Sequence, residues 1–89
     1  MKAIVTVVGR DRVGIIAGVC NTLASLNVNV LEISQTIMDG YFTMMMVVDL
    51  TACRTPFEEL SGALDGFGKE RNLSIRIQRE DIFDAMHQI

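Results

Sequence analysis

The dipeptide Asp39-Gly40 constrains this chain more than any other feature, because it sits between two strand-like runs. A two-residue hairpin loop of type I′ needs positive φ at both central residues, and Asp-Gly meets that demand well. Before it, Val28 to Met38 places Val28, Val30, Ile33 and Ile37 among polar Asn29, Glu32, Ser34, Gln35 and Thr36. After it, Tyr41 to Leu50 returns as a second apolar run. A lone hairpin is marginal in water, so the flanking segments must complete a sheet or cover it.

The flanks supply matching halves. Lys2 to Val8 is rich in β-branched residues and ends at Gly9, as suits a buried strand. A polar break from Gly9 to Gly14 follows. Ile15, Ile16, Val19, Cys20, Leu23 and Leu26 then recur at helical spacing, and Asn27 is a plausible left-handed stop. On the other side, Thr51 to Pro56 is a loop, with proline acceptable at a first helical turn. Phe57, Leu60, Leu64 and Phe67 give a second amphipathic helix, whose last turn Gly66 and Gly68 are expected to fray. Leu73 to Gln78 alternates, with Leu73, Ile75 and Ile77 on one side.

The order is β-α-β-β-α-β over residues 1–80. This predicts an α+β, ferredoxin-like domain: a four-stranded antiparallel sheet with two helices on one face. Right-handed crossovers leave few alternatives. The tail, residues 81–89, is expected to form a short helix with Ile82, Phe83 and Met86 on one face.

Eighty-nine residues hold one such domain and no second core. The apolar fraction, 49%, is high for so small a body, and some apolar surface should remain for a subunit contact. Thr43 to Val48, with its three consecutive methionines, is apolar on both faces; adaptable core and subunit contact are both open readings. The net charge of −3 and a pI near 4.9 argue against nucleic acid, which a basic stripe would bind. No stretch approaches the roughly 20 apolar residues that span a membrane, and the first apolar run is too short for a secretory signal. Cys20 and Cys53 make no disulfide framework, which suits a reducing cytoplasm. Cys20 among apolar helix positions reads as a small hydrophobe. No metal site is readable, since the single histidine, His87, has no cysteine nearby, and no cofactor is expected.

Two places carry recognisable chemistry. Gly9 and Gly14 bracket the first strand-to-helix loop, so its backbone can turn sharply and approach a ligand closely. The amides that open the next helix are unpaired and sit at its positive end, where carboxylates and phosphates bind readily. An ordinary connection is the plainer reading, with Asp11 a capping group and Arg12 a solvated charge. Asn29 opens the second strand, and its amide both donates and accepts; it is expected to lie close to the first loop. Alternatively it bonds only its own loop. Arg12 and Asn29 together would permit an enzyme reading, weakened by the lack of an evident general base.

The stretch Val7-Val8-Gly9-Arg10-Asp11-Arg12-Val13-Gly14-Ile15-Ile16-Ala17, then Leu26-Asn27-Val28-Asn29-Val30, resembles the signature of ACT domains. Their usual form is a strand, a loop D-x-P-G-[ILV], a helix, and then G-x-N-I. The chain looks like the stand-alone bacterial members. It is also similar to the ACT units of the glycine-cleavage-system repressor and of formyltetrahydrofolate deformylase. The resemblance implies binding of an amino acid or other small metabolite, often between two domains whose sheets join edge to edge. By motif match it places Asp11, Arg12, Val13 and Gly14 in the ligand loop and Asn29 with Val30 on the strand facing it. Val13 stands where many members have proline, which leaves the loop less rigid. Gly9 stands where serine-binding members carry histidine, which puts a serine ligand in doubt. Asn27 replaces the usual glycine.

The leading expectation is therefore a regulatory, amino-acid-binding homodimer that acts through an unknown partner protein, and not an enzyme. A ligand-free structural dimer is the main alternative. An acylphosphatase-type enzyme using Arg12 and Asn29 would need a glycine-rich loop that is absent here. An RNA-recognition module would need aromatics on the central strands, where only Tyr41 and Phe42 stand, at one end.

Overall fold

The computed structural model describes residues 1–10 and 14–80; the tail helix expected over 81–89 lies outside them. Six elements follow in order: β1 (Lys2–Gly9), α1 (Ile15–Ser25), β2 (Asn29–Met38), β3 (Tyr41–Asp49), α2 (Phe57–Arg71) and β4 (Ser74–Arg79). The hairpin forms where the sequence places it. Asp39 and Gly40 have φ of 52° and 79°, the double positive that a type I′ turn requires. Asn27, at φ 59°, closes α1 in the left-handed region.

The sheet order is β2-β3-β1-β4, with every neighbouring pair antiparallel. This is the ferredoxin-like α+β arrangement. Side chains directly opposite in an antiparallel pair share a face. On β1, Ala3, Val5 and Val7 therefore point with Val48, Met46 and Met44 of β3 and with Ile75 and Ile77 of β4. All are buried, in one cluster with Ile15, Val19 and Leu23 of α1 and Leu60 and Leu64 of α2. Both helices thus cover the same face. The other face carries Ile4, Thr6 and Val8 of β1 beside Thr43, Met45 and Val47 of β3.

The methionine run divides between the two faces. Met44 and Met46 are fully buried core, whereas Met45 points to the opposite face and is 38% exposed. Gly68 departs from expectation. It does not fray α2, which continues to Arg71 and ends at Asn72 in the left-handed conformation. Instead Gly68 is buried, and a Cβ there would lie 2.8 Å from the Leu73 carbonyl oxygen. It is a packing glycine that lets α2 pass close to the start of β4.

The β2 strand also departs from the simple pattern. The strand forms as read, yet Ile33 and Ile37 are 44% and 56% exposed. They share the helix-bearing face with Met46 and Phe42, but α1 does not extend over the sheet edge to cover them. A bulge at Leu31, between the Val30–Val48 and Glu32–Val47 pairs, shifts the register there.

Where β3 ends, Asp49 Oδ1 accepts hydrogen bonds from the Thr51 hydroxyl at 2.6 Å and the Thr51 amide at 2.9 Å. The hydroxyl bond foremost, then the amide bond, holds its carboxyl below the ordinary value of 3.8. A depressed folded pKa contributes stability above the unfolded value, and that contribution disappears as pH falls through the folded pKa. Asp49→Asn should therefore lower the thermal midpoint slightly at neutral pH. Its deficit relative to the native chain should vanish as the solution is acidified below 3.8, as followed by circular dichroism.

Candidate functional site

The end of β1 and the start of α1 lie at one end of the sheet, which we call the hairpin end. Gly9 pairs with Phe42, and Phe42 pairs with Ile37, so these residues stand level with the β2–β3 turn. At this end Gly14 adopts φ 74°, and no side chain caps α1, whose first intrahelical bond is Gly18 N–H to the Gly14 carbonyl at 2.9 Å. No acidic residue occupies the first turn. Among the described residues no side chain occupies the opening amides, which stand at the positive end of the helix dipole. Among the described residues nothing lies within 4 Å of a Cβ built on Gly14.

Among the described residues, Arg10 brings a cation to the same end. Arg10 donates a hydrogen bond to the Tyr41 hydroxyl at 3.0 Å, and its guanidinium lies 5.2 Å from the centre of the Tyr41 ring. Both contacts hold the charge beside the mouth of the loop. Sequence reasoning passed over this pair. No local signal points to it: Arg10 and Tyr41 meet because the β1–β3 register sets them beside the paired Gly9 and Phe42. Asp11, Arg12 and Val13 lie outside the described residues.

Asn29 is not where the sequence reading put it. It pairs with Asp49, which pairs with Lys2, at the far end of the sheet from the loop. Gly9 lies seven positions further along β1 than Lys2, a separation of roughly 23 Å at the rise of an extended strand. The physical reason is direction. The α1 helix carries the chain back down the sheet before β2 begins, so one βαβ unit puts the loop and the start of β2 at opposite ends. Asn29 is exposed there, and Val30 beside it is half-buried against the core. Within one chain, Gly14 and Asn29 therefore do not share a niche.

The remaining chemistry is sparse. Two open grooves, of about 510 and 480 Å³, run along α2 and β4, lined in part by Glu58, Asp65, Arg76 and Gln78, away from the loop. Neither adjoins the α1 N-terminus, so they carry no argument for the loop's ligand. Among the described residues no group of three or more His, Cys, Asp or Glu side chains gathers as a metal site would, and no helix is long and apolar enough to cross a membrane. Phe42 is buried in the core, which removes one of the two aromatics an RNA-stacking surface would have needed.

A four-stranded antiparallel sheet with both helices on one face, entered by a glycine turn ahead of the first helix, defines a small domain of the ferredoxin-like class. Residues 2–78 match the ACT domain family, and the chain belongs to it. Such domains are generally small-molecule-binding regulatory modules. The chain is 54% identical to a UPF0237 protein of Listeria innocua, with both proteins covered end to end. An ACT domain protein from Streptococcus pneumoniae superimposes with a TM-score of 0.84 at 47% identity, covering 98% of each chain. A formyltetrahydrofolate deformylase from Pseudomonas syringae matches 88% of this chain over 27% of its own length, at 27% identity and a TM-score of 0.77.

Proposed function

We propose that this chain is a homodimeric regulatory module that binds an amino acid between two copies and passes the result to a partner protein. The observation that carries the reading is the opposition of the two motif halves. Gly14 and its uncapped amides stand at one end of the sheet, and Asn29 stands at the other. An antiparallel β2–β2 contact about a twofold axis rotates one copy by half a turn relative to its neighbour. Gly14 and the α1 amides of one copy then come to the level of Asn29 and Val30 of the second copy, and the family motif assigns Asp11, Arg12 and Val13 to the same ligand loop. The exposed edge supports such a contact. It presents unpaired backbone groups together with Leu31, Ile33 and Ile37, at 43%, 44% and 56% exposure.

In this arrangement an amino-acid carboxylate sits on the α1 amides, with Arg10 adding positive charge nearby. The second copy's Asn29 then donates to or accepts from the rest of the ligand. Ligand binding would favour one disposition of the two subunits, by as much as its affinities for the alternatives differ. A ligand-free dimer uses the same edge and differs only in leaving the niche empty.

Calorimetric titration with the twenty amino acids, then nucleotides and folates, tests the reading directly. One class of ligand is expected to bind. Asn29→Ala and Gly14→Val should each abolish binding while the dimer persists. The two variants mixed in equal amounts should then recover about a quarter of the native sites, because half the dimers are mixed and each carries one intact composite site. A site built within one chain recovers none. Silence across every ligand would leave the structural dimer.

A further inference from the structure

We infer that the outer edge of β4, with the groove between it and α2, is where an extended basic segment of the regulated partner protein adds itself to the sheet. β4 closes the order β2-β3-β1-β4, so among the described residues no strand pairs with its outer side. A strand of six residues there leaves a row of main-chain donors and acceptors along roughly 17–20 Å.

The groove lies beside that edge, on the helix-bearing side. Glu58, Ser61, Gly62 and Asp65 follow one another at three- and four-residue steps on α2 and form one wall, and the buried Ile75 and Ile77 form the floor. A second groove continues it past Phe57 and shares Glu58 and Ile77 with it. Gly62 answers no packing demand among the described residues, since none of their atoms lies within 4 Å of a Cβ built there. Glycine inside a helix costs about 0.5–1 kcal/mol relative to alanine. What it provides here is a low wall between Glu58 and Asp65, with room for an incoming side chain.

Charge selects the occupant. Glu58 makes no ion pair among the described residues, and the pair of Asp65 with Lys69, at 3.2 Å, is exposed and readily exchanged. Arg79, on the groove side of β4, already has a partner. The wall therefore favours cations. A second copy does not meet that demand. Two β4 edges joined about a twofold axis set the acids of one α2 toward those of the other, and crowd both Arg76 side chains onto one face of the same short pair. A foreign strand with lysine or arginine on either side of an apolar residue, at alternate positions, meets it. Its basic side chains reach Glu58 and Asp65, its apolar one enters beside Gly62, and its main chain bonds to β4.

The inference goes beyond the proposed function. It needs neither the amino-acid ligand nor the β2 contact, so it fails or survives separately from them. Two blocked heptapeptides test it: Thr-Lys-Thr-Val-Thr-Lys-Thr, and the same peptide with glutamate in place of lysine. Titrated into the nitrogen-labelled full-length protein, the basic peptide is expected to move amide resonances of residues 74–78 and of α2 around Gly62, with saturation. It should bind about tenfold or more tightly than the acidic one. Gly62→Leu improves helix propensity and fills the hollow. It should weaken the basic peptide about tenfold or more while the thermal midpoint is kept or raised, a combination that mere attraction to an acidic chain does not produce. Glu58→Gln should narrow the preference between the peptides. Equal binding of both peptides, binding unmoved by Gly62→Leu, shifts that fall on β2 instead of β4, or no saturable shift at all would each overturn the inference.

Discussion

Gly68→Val is expected to reduce the stability of the domain by about 3 kcal/mol, in the upper range for forcing a larger side chain into a packed interior. The neighbour that meets the new Cβ is the backbone carbonyl of Leu73, 2.8 Å away, with Ile75 Cγ1 at 3.2 Å. A carbonyl cannot rotate aside as a side chain can. Here it also belongs to the turn in which Leu73 N–H donates to the Gly68 carbonyl at 2.8 Å. Relief requires α2 to lift from β4, which loosens Leu64, Ile75 and Ile77 together. For a chain of this length a loss of that size lowers the thermal midpoint by roughly 10–20 °C.

Gly62, six residues earlier in the same helix, gives the opposite sign. No atom lies within 4 Å of its Cβ position, so Gly62→Ala should stabilise by about 0.5–1 kcal/mol through helix propensity alone. Urea denaturation of the two variants beside the native protein measures both effects. Equal effects at the two positions would refute the packing role given to Gly68.

The second large effect concerns the proposed assembly. In the proposed β2–β2 dimer, Ile33→Asp should raise the dissociation constant at least 100-fold, equivalent to about 2.7 kcal/mol. Ile33 lies near the middle of β2 and is 44% exposed in one copy. In a twofold β2–β2 contact it is buried on both sides of the axis, so a carboxylate there loses hydration twice per dimer. Because the residue is exposed in one copy, the fold itself should change by no more than about 0.5 kcal/mol. Ser74→Asp, on the exposed β4 edge at the other side of the sheet, should leave association unchanged. Sedimentation equilibrium over a range of concentrations reads both. A dimer that survives Ile33→Asp would move the subunit contact elsewhere and take the composite niche with it.

Local signals were sufficient wherever the physics is local. Asp39-Gly40 specifies its own turn, Asn27 its own left-handed stop, and the spacing of Leu60 and Leu64 the buried side of α2. Gly68 was misread because propensity describes a helix alone, whereas its role depends on a carbonyl brought close by the following strand. The apolar residues of β2, Val30, Ile33 and Ile37 among polar neighbours, were legible as a strand. That they lie at an edge, beyond the reach of α1, follows only from the order β2-β3-β1-β4.

The candidate site divides in the same way. Residue types near Gly14 and Asn29 announced the chemistry of an anion-binding turn and an amide side chain, and nothing more was needed to read them. Their separation along the sheet was decided by the direction in which α1 returns the chain. The amino-acid sequence alone determined the six elements, the buried faces and the family, since these depend on periodicity and on residues close in the chain. Tertiary structure alone decided which faces stay open and which ends meet, because strand order and direction arise only when segments distant in the chain pack together.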